Sequence, residues 1–574
     1  MRSHARVGGL TVHAVAGTHT VLLGFDLAAP AGCLGFAVLR TDHTDGETRW
    51  LRGMKTFASV VPQPPPGSDY STREQPVQGF QWGDYTVSPQ RHYTYAVSAL
   101  GGAPAALTVL ASTSVEVTTE AEDDGIHGVW FNRGVAGSQA FQRRFPGYHP
   151  GPHPDESDQA MVWLSRGLGE AFVAFCAEAL GADWGLRGAF YEFTWGTGLD
   201  ALAAARDRGA DVSLVVHGRD TDSAADAEAG EDDDTTAEDS RAAAHEHGLD
   251  DVVTWRTAPN TSALMHDKYL VLLHHGSPVA VWTGSTNLTR GAIFGHSNVG
   301  HLVRDRTVAR DYLHEWERLA AGETTQELRT DHEAGDAVAE HVPAARKVGR
   351  VFSPRVTDST VLQWYADLFG AAKESAHITG AFGLNKVFRD ELAVPEADVV
   401  RTVLLDKRPA TDARIPLEDP NVRLSTGSHL TDSPLAQWAD EHLTGFNTHV
   451  KYVHTKIILV DPLTDDPTVL TGSANYSGAS TTDNEENTLV IRGGSSRAAG
   501  RDAVRRVADI YLTEYHRLFM HFVFRAWAQG RSVNDGEVQA MGHLDETDRW
   551  TDRYYRAGSW QALQRKVFSG QGTT

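Results

Sequence analysis

Cysteine is scarce in this chain: only Cys33 and Cys176 occur in 574 residues, far apart and in apolar surroundings. That excludes a disulfide framework, and both read as small buried residues. Basic charge is also short. Lys and Arg number 52 against 75 Asp and Glu, a formal net charge of -23. Such a balance excludes a protein that coats nucleic acid or anionic membrane through bulk charge, though not one with a local basic pocket. Long apolar runs are missing too. No stretch reaches the ~18 uninterrupted apolar residues of a membrane span, and the opening MRSHARVGGLTVHAV has no long apolar core before a cleavage site. The expectation is a cytoplasmic protein without transmembrane insertion, although a non-Sec export route would leave no trace in these residues.

What is present is an ordinary globular composition over a length that suggests roughly three or four domains. From about residue 10 to 118, segments such as TVLLGFDL, GFAVLR and HYTYAVSAL alternate like strands between turn signals. Short strands at that spacing predict an all-β sandwich over residues 1–120, and GFAVLR and YTYAVSAL resemble strands of a fibronectin type III domain. The sandwich carries no catalytic cluster and reads as a structural module or a docking surface for a protein partner. An acidic linker, Glu120 to Asp124, follows.

Beyond it, strands alternate with helical patterns, among them one helix over Met161 to Leu180, which predicts mixed α/β sheets flanked by helices. Residues 220–239 hold ten acidic side chains without the glycine-punctuated spacing of a calcium loop, and read as a solvated acidic loop. From Val348 the order of elements repeats: Gly188-Ala-Phe matches Gly380-Ala-Phe, Ala210-Asp-Val matches Ala397-Asp-Val, and YLHEWERL matches YLTEYHRL. An internal duplication explains this, with one α/β domain over 126–345 and a second over 346–530. The tail, 531–574, with Trp550, Tyr554, Tyr555 and Trp560, is expected to pack on these two domains.

The chemistry lies in a motif that occurs twice. His454-Thr-Lys456 leads a buried strand ending at Asp461, followed by Gly472-Ser473-Ala-Asn475 and then Glu486. Subtracting 188 gives His266, Lys268, Gly284, Ser285 and Asn287, with Asn298 opposite Glu486. On a strand, residues two apart share a face, so each His and Lys point together while Asp267 and Thr455 point away. Two lysines and the amides of Asn287 and Asn475, brought to one point, would neutralise a phosphodiester. His266 and His454 would supply a nucleophile and a general acid.

HxK followed by GSxN, present twice, resembles the phospholipase D superfamily over roughly residues 126–525. The resemblance implies a phosphodiesterase that works through a phosphohistidine, needs no metal or other cofactor, and completes its site within one chain. It gives Ser285 and Ser473 supporting roles at the phosphate or in the loop, and makes Asp461 chiefly structural. The first copy departs by carrying Leu273 where Asp461 stands, and Asn298 where Glu486 stands. A carboxylate beside His454 would favour its charged form and an amide beside His266 would not, so His266 is expected as nucleophile and His454 as acid. Asn484 and Asn487 read as turn residues. A phospholipid substrate is favoured, with a nuclease of the same superfamily as the alternative. A binding or scaffold protein with a decayed first site is the reading from another class.

Overall fold

A computed structural model describes residues 1–65, 67–134, 140–141, 144–146, 148, 155–219, 236–257, 263–335, 348–356, 358–407, 414–417, 419–427, 453–493, 501–528 and 543–571. Most of the acidic loop and the first part of the tail fall outside them. No single helix among the described residues is long and apolar enough to cross a membrane.

The N-terminal region forms two four-stranded antiparallel sheets. One contains β1 (Arg2–Val7), β2 (Leu10–Ala16), β3 (Val21–Leu27) and β6 (Gln81–Asp84). The other contains β4 (Gly35–Asp42), β5 (Glu47–Trp50), β7 (His92–Ala103) and β8 (Ala106–Thr118). Inward residues such as Val12, Phe25, Phe36, Tyr95 and Val115 make one core.

The tail completes that core, which corrects the expectation that it packs on the α/β region alone. Trp550 and Tyr554 lie inside the N-terminal core, and Trp550 Nε1 donates to the Cys33 carbonyl at 2.9 Å. His543–Leu544 pairs with Thr56–Phe57. Trp560 and Leu563 pack against the core of the second α/β half, and Val567 and Phe568, at the end of the last helix, enter it. They cross β3 where Gly24 leaves room: a Cβ there would stand 1.9 Å from the Phe568 carbonyl oxygen.

Two seven-stranded mixed sheets follow. The first comprises β9 (His127–Phe131), β10 (Trp184–Phe190), β11 (Asp211–His217), β12 (Val253–Arg256), β13 (Lys268–His274), β14 (Ser277–Gly284) and β15 (Val299–Val303). The second comprises β16 (Val348–Ser353), β17 (Ser375–Gly380), β18 (Val400–Leu405), β19 (Val422–Thr426), β20 (Ile457–Val460), β21 (Thr468–Gly472) and β22 (Glu486–Arg492). Their strand orders are β9-β15-β14-β13-β10-β11-β12 and β16-β22-β21-β20-β17-β18-β19, the same path taken twice. The central strands are apolar runs because they are covered on both faces.

Register corrects two of the literal sequence matches. Phe190 lies opposite Lys268. In the second sheet Ile378 pairs with Ile458, so two further steps put Gly380, not Phe382, opposite Lys456. Likewise Gly185 pairs with Asp211 and Ser375 with Val400, so Asp211 corresponds to Val400 rather than Asp398. Both tripeptides repeat two residues out of structural register. In the matching helices the tyrosines are buried but bonded differently: Tyr312 of α1 (Arg306–Ala321) donates to Asn487 Oδ1 at 3.0 Å, and the Tyr511 hydroxyl of α2 (Arg501–Ala528) bonds His301 Nδ1 at 2.9 Å.

The helix expected over Met161 to Leu180 is instead two, Gln159–Ser165 and Leu168–Ala177, bent by 83°. Arg166 and Gly167 between them take left-handed backbone conformations, φ 49° and 87°. The break lets the buried Arg166 guanidinium bond the Phe131 carbonyl and Glu514.

Candidate active site

The two halves exchange partners at their centre. Met265, just before His266, forms a parallel bridge with Glu485 of the second half, and Val453, just before His454, forms the matching bridge with Ser297 of the first. His266 N–H donates to the Glu485 carbonyl at 2.9 Å and His454 N–H to the Ser297 carbonyl at 3.2 Å. Each histidine therefore sits beside the other half's polar residue. His266 Nδ1 meets Glu486 Oε2 at 2.8 Å, and His454 Nδ1 meets Asn298 Oδ1 at 2.9 Å.

This reverses the expected pairing, in which Glu486 accompanied His454. The spacing within each copy was read as local contact, but the crossed bridges carry Glu486 to His266 and Asn298 to His454. The Asn298 amide is oriented by its own bonds. Its Nδ2 donates to the Ala292 carbonyl at 2.9 Å, and its Oδ1 accepts from Ser285 Oγ at 2.8 Å. Oδ1 can only accept, so His454 carries its proton on Nδ1 when neutral and leaves Nε2 for chemistry.

The lysines fold back in the same way in both copies. Lys268 Nζ donates to the His266 carbonyl at 2.6 Å and Lys456 Nζ to the His454 carbonyl at 2.9 Å. All four of these side chains are buried. Burial lowers Lys268 to about 8. Burial and the Lys268 charge push Lys456 well below the usual lysine range. Burial, then Lys268 and Lys456, push His266 well below its ordinary value, and burial followed by Lys456 and His296 does the same to His454. Glu486 is pushed up to about 8 by burial, against the opposing pull of Lys268. Each group thus feels the charges of both copies, as expected of one site assembled from two halves.

The remaining expected residues divide. Ser285 Oγ holds Asn298 and accepts from Val299 N–H at 3.1 Å, so it orders the loop. Ser473 Oγ accepts from Asn487 N–H at 3.0 Å and donates to the Asn487 carbonyl at 3.5 Å. Asn287 Nδ2 donates to Glu192, a residue the sequence reading missed. Asn475 lies past the end of β21, half-buried, with its Oδ1 unpaired.

Asp267 points away from the lysines, as alternation requires, and accepts from Asn487 Nδ2 at 2.7 Å. Asn487 is not a turn residue. It lies buried in β22 and also accepts from Thr283 Oγ1 at 2.7 Å and from the Tyr312 hydroxyl at 3.0 Å.

His217 and Asp406 were also missed. Each follows or ends the strand next to β10 or β17 and accepts the N–H of the residue before a catalytic candidate: Met265 to His217 Nδ1 at 3.3 Å, Val453 to Asp406 Oδ1 at 2.7 Å. Neither lies near an HxK in sequence. A 188-residue offset cannot find them because they are different residue types, 189 positions apart.

Asp461 stands away from the site, at left-handed φ 49°. Its carboxylate accepts from the N–H groups of Lys373, Glu374 and Ser375 at 2.7–3.1 Å, fixing the end of β20 to β17. Where the first copy has Leu273, the strand end is held otherwise. His275 N–H donates to the Asp183 carbonyl at 2.7 Å, and His274 stacks on Trp184 with centroids 4.2 Å apart.

Residues 182–320, which include the first HxK and GSxN, match the family described as "Cardiolipin synthase, PLD-like domain". That stretch is thus a PLD-like domain. No curated protein matches the chain. Among solved structures, the chain is similar to phosphatidylserine synthase of Haemophilus influenzae Rd KW20, at 11% identity and a TM-score of 0.43, over 62% of this chain and 85% of that one. It is also similar to the phospholipase D family member Nuc of Salmonella typhimurium, at 20% identity and 0.20, over 30% and 95%. NucT of Helicobacter pylori gives 12% and 0.21, over 30% and 98%.

Proposed function

We propose that this chain cleaves a phosphodiester by way of a phosphohistidine on His266, with His454 as the general acid. The crossed hydrogen bonds, Glu486 to His266 and Asn298 to His454, carry the reading. Attack by Nε2 of a neutral His266 on phosphorus leaves an imidazole substituted on one nitrogen and protonated on the other, hence cationic. A carboxylate on its Nδ1–H stabilises that charge. The acid has the opposite need. It must give up a proton to the leaving oxygen, which a neutral amide partner does not oppose and a carboxylate would. The roles are those expected from sequence, for the reverse reason. Lys268 and Lys456, with the second N–H of Asn287 and the amide of Asn475, take the non-bridging oxygens. Water activated by the neutral His454 then releases the phosphate from His266.

Phospholipid remains the favoured substrate class. The net charge of -23 weighs against a polyanion, and Phe382, two residues past the position facing Lys456, presents an aromatic ring 69% exposed. We also read the repeated strand order as an internal duplication, with a β-sandwich over 1–120, α/β domains over 126–345 and 346–530, and a tail over 531–574. Parallel assays with phosphatidylcholine vesicles and with single- and double-stranded DNA, in EDTA, test the substrate. Choline release abolished by His454→Asn is expected. DNA cleavage without choline release overturns the lipid reading in favour of a nuclease, and no turnover of any diester, including an aryl one, leaves the scaffold reading.

A further inference from the structure

We propose that Glu192 sets the charge of the phosphate this site accepts, admitting a monoanionic diester and disfavouring a dianionic monoester. This rests on the phosphodiesterase reading above. Glu192 lies just past the end of β10, and its Oε2 accepts from Asn287 Nδ2, on the amide expected to meet a phosphate oxygen. Its charge acts on both Lys268 and Lys456, so it stands within reach of the place where the two halves converge. The cations facing the phosphate are thus accompanied by the Glu192 carboxylate on one flank and by Glu486 behind His266.

The other flank lacks this feature. By the register of β17 against β20, the residue corresponding to Glu192 is Phe382, and no carboxylate bonds Asn475 among the described residues. A carboxylate added to one side of a phosphate site is not needed to bind an anion, and works against it. Its use follows from the chemistry. Hydrolysis adds hydroxide to phosphorus and a proton to the leaving oxygen, and the monoester formed carries a second ionisable oxygen, with about -1.5 to -2 charge near neutrality. A fixed negative charge beside the phosphate penalises that additional charge more than the diester's single one, so product leaves and free monoesters compete poorly.

Calorimetric titration at pH 8 with inorganic phosphate, largely dianionic, and with dimethyl phosphate, a monoanion, tests this without any turnover. Glu192→Gln is expected to tighten inorganic phosphate by about tenfold or more and dimethyl phosphate by about threefold or less. Phe382→Glu, at an exposed position, adds a carboxylate on the other flank and should weaken inorganic phosphate more than dimethyl phosphate. Equal changes for the two probes, no change, or no binding of either by wild type and Glu192→Gln would each overturn the inference. Failure of diester cleavage with the charge-selective shift intact would instead sink the phosphodiesterase reading alone.

Discussion

Glu486 and His266 meet at 2.8 Å although 220 residues separate them, and the symmetric counterpart, Asn298 with His454, replaces the carboxylate by an amide. The backbone bridges that enforce the exchange join Met265 to Glu485 and Ser297 to Val453. Each histidine takes its partner from the other half, a carboxylate for His266 and an amide for His454.

That asymmetry predicts where a covalent intermediate resides. On the proposed roles, His454→Ala removes both the acid and the water-activating base. An aryl phosphodiester, whose leaving group needs no protonation, should then load His266 and stall. Acid-avoiding peptide mapping is expected to find phosphate on the peptide containing His266. Phosphate on the peptide containing His454 in a His266→Ala protein, with none on His266 in the converse variant, would invert the roles.

The pH dependence follows from two groups held near the same value. Glu486, pushed up to about 8 by burial, must be a carboxylate to accept Nδ1–H, so kcat/KM should rise as pH climbs through about 8. Lys268, lowered to about 8 by burial, must stay charged to bind phosphate, so kcat/KM should fall as pH passes above about 8. A maximum near pH 8 is expected with bis(p-nitrophenyl) phosphate. Glu486→Gln should lower the maximum by roughly a hundredfold, in the range of a lost catalytic proton-transfer partner, and flatten the acid limb while the alkaline fall persists. A variant profile parallel to wild type would remove Glu486 from the chemistry.

The parts legible in sequence were those written locally. HxK and GSxN each place their groups through strand alternation and a tight turn, so His266, Lys268, His454 and Lys456 could be found without a fold. The partner of each histidine was not legible, because equal spacing within the two copies is satisfied equally well by local and by crossed pairing. Only the Met265–Glu485 and Ser297–Val453 bridges decide between them. Glu192 was hidden for a related reason: it reaches Asn287 from a strand about a hundred residues earlier. The tripeptides at Gly188 and Gly380 misled, since apolar strands tolerate a two-residue shift that keeps every side chain on its own face. Trp550 was recognisable as a packing residue, but its destination depends on where the chain returns.

Asp461 gives a stability prediction specific to the second half. Its carboxylate accepts from three consecutive backbone N–H groups, and the first half does without it. Asp461→Ala would leave those donors short of an acceptor at a position whose left-handed backbone already disfavours alanine. A loss on the order of 3 kcal/mol is expected from urea denaturation, with Asp461→Asn losing less, since asparagine tolerates the backbone and keeps one acceptor. Equal losses for the two variants would show that the three N–H bonds contribute little.

Glu514 on α2 gathers three regions of the chain. Arg166 Nη2 reaches it at 2.6 Å, Arg517 Nε at 2.7 Å and the Thr20 hydroxyl at 3.2 Å. Burial alone would raise its carboxyl, but the charges of Arg166 and Arg517 outweigh burial and hold it at about 2. A carboxyl so depressed from 4.5 stabilises the fold fully above about pH 4.5, on the order of 3 kcal/mol, and loses that contribution as pH falls towards 2. Glu514→Gln should therefore melt well below wild type at pH 7, since it also leaves two buried guanidinium groups without their anion. The two melting curves should converge as both proteins are acidified from pH 5 towards 2.5. A constant gap across that range would show that the Glu514 charge does not tie these regions together.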